Sequence, residues 1–75
     1  MIKYRLLRNS EGRYVIERTV LGLFKKYRLL FKQSWSHTAV YQKLTEKEAT
    51  AWFDQVVFST DPVKDVVVVV REYPQ

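Results

Sequence analysis

The residues able to carry covalent chemistry are few. His37 is the only histidine in the chain, and Ser34 and Ser36 are its near neighbours. Nucleophilic catalysis needs a nucleophile, a base beside it and a third group that orients the base. In an extended segment Ser36 and His37 point to opposite faces, and no carboxylate stands at a spacing that marks it as the orienting group. Apart from Glu17, the acids sit in helix-like and turn-like stretches, where solvation accounts for them, and no pair is spaced to converge in a cleft. With one His, no Cys and no calcium-loop pattern, there is no recognisable metal-ligand set. Gly12 and Gly22 are the only glycines, so neither a dinucleotide-binding nor a P-loop fingerprint can be written. The expectation is a protein without cofactor or metal that is not an enzyme.

Bases interleaved with aromatics are the remaining chemical feature. Arg5 follows Tyr4, Arg13 precedes Tyr14, Lys25, Lys26 and Arg28 surround Tyr27, Lys32 follows Phe31, and Trp35 lies just beyond. Cations contact phosphates, and exposed aromatic faces stack on unpaired bases. The expected contact set is therefore Arg5, Arg13, Arg18, Lys25, Lys26, Arg28, Lys32 and Trp35. Tyr27 and Phe31 are expected in the core, because so short a chain needs its aromatics inside, which leaves Trp35 as the first accessible ring. The competing view is that Lys and Arg only solvate the outer face of a sheet. No RNA-recognition, KH or zinc-finger pattern occurs.

The charge is unevenly distributed. The whole chain of 75 residues carries +5, yet residues 1–44 hold ten bases and two acids while residues 45–75 hold three bases and six acids. One strongly cationic surface is expected, facing an acidic partner that is either nucleic acid or a host protein. A length of 75 residues allows one domain, residues 1–75, and the 47% apolar content makes it globular. Such a chain buries only about 60% of the surface its unfolded state exposes, so tight packing or self-association must supplement the core. The start runs directly into alternating residues with no secretory pattern, and the longest apolar run, Val66 to Val70, falls far short of a span. A soluble cytoplasmic protein is the expectation, and a membrane partner is disfavoured.

The positioning elements follow from periodicity. Ile2, Tyr4 and Leu6 alternate with Lys3, Arg5 and Leu7, then Asn9 to Gly12 supply turn chemistry. Arg13 to Val20 resumes the alternation, with Tyr14, Ile16 and Val20 on one face and Val15, Glu17 and Thr19 on the other. Residues 21–33 fit two templates. A helix leaves Leu29 misplaced, whereas a strand leaves Leu30 misplaced. Gly22 suits a turn better than a helix start, which favours the strand; a cationic amphipathic helix would instead suggest a membrane surface. Ser34 to Ser36 reads as a turn and Thr38 to Lys43 as a short strand.

Thr45 and Glu48 form the pattern of a capping box, with Leu44 and Ala49 as its hydrophobic staple. Ala49, Trp52, Phe53, Val56 and Val57 then recur on one helical face, giving an amphipathic helix over about residues 46–58 that Asp61-Pro62 stops. Val66 to Val70 is β-branched on both faces, which predicts a central strand or one paired at a homodimer interface. The predicted fold is α+β, a small antiparallel-rich sheet of four to five strands carrying one helix. This strand-rich start running into Leu44-Thr45-Glu46-Lys47-Glu48-Ala49-Thr50-Ala51-Trp52-Phe53 resembles small bacteriophage and mobile-element accessory proteins. The resemblance implies a class that acts by binding host factors or nucleic acid, and it transfers no site residues. The expected function is a basic nucleic-acid-binding module. The alternative is a phage-type inhibitor or adaptor that docks on an acidic host protein.

Overall fold

The computed structural model describes residues 2–20, 22–30, 34–60 and 67–71, with residues 59–60 and 67–71 described as backbone. The elements run β1 (Ile2–Arg8), β2 (Tyr14–Val20), β3 (Phe24–Arg28), β4 (Trp35–Ser36), α1 (Glu46–Thr60) and β5 (Val67–Arg71). One five-stranded sheet has the order β4-β3-β2-β1-β5. The first four strands pair antiparallel, and β5 runs parallel to β1. This is the expected α+β fold.

The β1–β2 hairpin keeps the period-two reading residue for residue. Tyr4 opposes Arg18 and Leu6 opposes Ile16, so Tyr4, Leu6, Tyr14 and Ile16 share one face. The turn is held by the Asn9 side chain, whose Oδ1 accepts from the Glu11 and Arg13 amides at 3.0 and 2.9 Å. Gly12 donates its amide to the Asn9 carbonyl and takes φ of 77°, the left-handed residue that closes a three-residue hairpin loop. Gly22 has φ of 73° between β2 and β3. Residues 24–28 are thus a strand, the favoured of the two templates.

Thr45 caps α1 reciprocally. Its hydroxyl accepts from the Glu48 amide at 3.1 Å, and the Glu48 carboxylate accepts from the Thr45 amide at 3.0 Å. The helix lays Ala49, Phe53 and Val56 on Tyr4, Leu6, Tyr14 and Ile16, with Ile2, Trp35, Leu44, Trp52 and Val57 closing the margin. Phe53 is fully buried, a contribution of about 2–3 kcal/mol from removing its ring from water. α1 packs over β1 and the Tyr14–Ile16 end of β2, while Arg18, Lys26 and Arg28 on the same face stay partly exposed and Phe24 is exposed.

Three expectations need correction. Trp35 and Ser36 form a two-residue strand against Arg28 and Tyr27 rather than a turn. Thr38 to Lys43 does not form a strand. It contributes one bridge, Gln42 to Tyr14, with N···O distances of 2.8 and 2.6 Å. That bridge takes the place on β2 where β3, had it continued in register, would have brought Leu30. β5 is an edge strand rather than a central one. The β1–β2 hairpin already occupies one side of β1, so a strand returning parallel after α1 can pair only on the other. Lys32, Phe31, Val66 and the Asp61-Pro62 helix stop lie outside the described residues.

Candidate nucleic-acid interface

Strand register decides which bases share a surface. On the helix-covered face, Arg18 opposes Lys26, and Arg28 stands between Ile16 and Trp35. Arg8 occupies the same face at the end of β1. No acidic residue holds a strand position on this face among the described residues, because Glu17, the one acid in those strands, lies on the reverse. Every charged strand residue on this face among the described residues is therefore cationic.

Trp35 organises this flank. The guanidinium carbon of Arg18 lies 4.6 Å from the ring centroid and that of Arg28 lies 5.7 Å from it. Tyr4 contacts the same ring from the core, with centroids 6.2 Å apart and planes tilted by 44°. Each cation–π contact contributes about 0.5–2 kcal/mol and restricts two otherwise flexible arginines. Trp35 is half-buried and engaged, so it is not the freely accessible ring that composition suggested. The accessible rings are Phe58 on α1, at 81% exposure, and Phe24 on this sheet face, at 63%, beside Leu23 at 75%. Nothing in the local pattern distinguished Phe24 from the core aromatics.

Arg18, Val20, Phe24 and Lys26 line an open hollow of about 270 Å³ on this flank. Small-molecule pockets run from about 300 to 1,000 Å³. The hollow is thus sized for a fragment of a larger partner rather than for a whole ligand.

The other expected contacts are placed elsewhere. Lys25 is exposed on the reverse face, and Arg13 is exposed in the β1–β2 turn. Arg5 opposes Glu17 on the reverse face and is committed to it: its Nε donates to Glu17 Oε1 at 2.7 Å, and its Nη2 lies 2.5 Å from the same oxygen. Glu17 is only 2% exposed, and the Thr19 hydroxyl donates to it at 3.2 Å. Burial raises the Tyr27 phenol above its ordinary value, with further increments from the Glu17 charge, from Tyr41 and from hydrogen bonding to Glu17, against a lowering by Arg5. Leu7, Val15 and Leu29 are buried next to this polar row. The reverse face is thus a second layer of packing, with Arg5 internally neutralised.

His37 is exposed, and the Ser36 hydroxyl accepts from the Thr38 amide at 3.2 Å. Among the described residues no three His, Cys, Asp or Glu side chains gather as a metal site, and no helix is long and apolar enough to cross a membrane. Comparison of the chain with protein-family models, with curated proteins and with solved structures finds no match in any of the three.

Proposed function

We propose that this chain is a small, non-enzymatic nucleic-acid-binding module, acting in the cytoplasm as an accessory protein. The observation that carries the reading is the open flank beside α1, where Arg18, Lys26 and Arg28 share a face that holds no acid among the described strand residues. Phosphate contacts come from these three, with Lys25 and Arg13 adding charge from the margins. Arg5 is spent on Glu17 and is removed from the contact set. Binding that displaces counterions from about three phosphates gives a log–log salt slope of about −2 to −3. Titration of labelled mixed-sequence DNA and RNA across a salt series measures it, and reversing Lys26 and Arg28 to Glu abolishes it. A flat salt dependence, or no binding at low salt, refutes the proposal.

A protein partner is the second reading, favoured by Leu23 and Phe24 exposed together at the β2–β3 tip beside cations. An acidic host surface with an apolar centre would match it. The ultraviolet absorbance ratio of the protein purified at low salt separates the two, since copurifying nucleic acid raises it.

A further inference from the structure

The nucleic-acid reading leaves open whether the ligand is paired or unpaired, and the flank bears on that choice. Phe24 opposes Val20 at the start of β3, and Lys26 opposes Arg18 one step along the same face. The four side chains line the open 270 Å³ hollow. Its lining combines Phe24, 63% exposed to solvent, the aliphatic Val20 and two cations. A duplex presents phosphates and groove edges and keeps its base faces stacked inside, so it uses the cations and leaves Phe24 idle. A single strand uses both, because every unpaired base has a π-face that an aromatic side chain can cover. Trp35 cannot take this role, since two guanidinium groups and Tyr4 already occupy its surroundings. Its contact with Arg18 instead holds that guanidinium in place before any ligand arrives, which lowers the ordering cost of binding.

We propose that the hollow between β2 and β3 is a stacking subsite for one unpaired base of a single-stranded nucleic acid, with Phe24 as platform and Arg18 and Lys26 on the flanking phosphates. This rests on the nucleic-acid reading and deepens it.

The test compares a short labelled oligothymidylate with a mixed-sequence duplex of equal length at low salt, by fluorescence anisotropy. Phe24→Ala should weaken oligothymidylate binding about 5- to 150-fold, the range that loss of one stacking aromatic spans. Its affinity for duplex and its salt slope should stay unchanged, because no charge is lost. Phe24→Tyr should retain binding. Lys26→Gln should reduce the single-strand salt slope by about 0.7, the value for one phosphate contact. Phe24 is exposed, so its variants should keep the parent's circular dichroism and thermal midpoint. Failure of the parent to bind either probe overturns the nucleic-acid reading and the subsite together. Parent binding that survives Phe24→Ala, or that falls equally for both probes, overturns the subsite alone and leaves the phosphate-contact reading standing.

Discussion

Replacing Arg5 by Met tests the physical account of the reverse face. The substitution removes the Nε and Nη2 contacts to Glu17 Oε1 and leaves a carboxylate that is 2% exposed without its cation. Breaking a buried pair from one side costs about 3–5 kcal/mol. Here the Thr19 hydroxyl still donates to the carboxylate, which sets the expectation at the lower end, about 3 kcal/mol. The converse change, Glu17→Gln, is milder. The amide oxygen still accepts, and the Arg5 side chain is 23% exposed and can recruit water. Its expected cost is about 1 kcal/mol. Combining the two removes the buried charge altogether, so the double variant should be more stable than Arg5→Met alone by about 1–2 kcal/mol. A domain of 75 residues has a total stability of roughly 4–11 kcal/mol, so these differences are large fractions of it. Urea unfolding followed by tryptophan fluorescence measures all four proteins, and an unchanged m-value validates the comparison. Simple additivity, with the double variant least stable, would refute the reasoning. So would two single changes each costing under about 0.5 kcal/mol, as expected of a solvent-exposed pair.

Three further outcomes follow from other parts of the structure. Tyr27 has a phenol raised above 10.0 by burial first and by the Glu17 charge second. It keeps its proton in the fold at a pH where the unfolded chain has lost it. Its stabilising contribution is therefore complete below about pH 10 and falls as pH rises through the folded value; alkaline unfolding curves of the parent and Tyr27→Phe should converge there, and parallel curves would contradict this. Thr45→Ala removes the hydroxyl that caps Glu48 and should cost about 1 kcal/mol, a drop of roughly 4–8 °C in Tm, while Thr45→Ser holds the parent value. Gly12→Ala places a Cβ where no atom lies within 4 Å, at φ of 77°. The cost is thus purely conformational, about 1–2 kcal/mol by calorimetry, and Gly12→Asn should recover much of it.

The parts of the fold set by local chemistry were readable before any coordinates. Alternation in Ile2–Arg8 and Tyr14–Val20 fixes both faces of the hairpin, and Thr45 with Glu48 marks where α1 begins. Gly22 correctly weights residues 24–28 toward a strand. The failures share a cause. Trp35–Ser36 is extended because Trp35 settles on Arg18, Arg28 and Tyr4, contacts that arise from three other strands and leave no local period. Gln42 meets Tyr14 through tertiary pairing alone. A valine run suggests a central strand, but connection rules around β1 place it at the edge. The candidate site was half legible for the same reason. Base content identified a cationic segment, whereas register separated Arg18, Lys26 and Arg28 from Arg5 and Lys25. That Glu17 would be buried, and would absorb Arg5, has no signature in spacing.

The parallel pairing of β1 with β5 has a kinetic consequence. Every other ladder joins strands that are neighbours in the chain, and these can zip as soon as a turn forms. Ile2 meets Val67 across sixty-five positions. Closing that span rather than a hairpin turn of about five residues costs roughly 2 kcal/mol more in chain entropy. The long-range ladder should therefore form after the meander and helix have assembled, and synthesis order points the same way, since β5 emerges from the ribosome after them. In the native protein the bonds between β1 and β5 would be first to exchange with deuterium, and those between β1 and β2 among the last. A chain truncated before β5 would keep its hairpins and helix yet expose the open edge of β1, the strand that carries Tyr4 and Leu6 of the core.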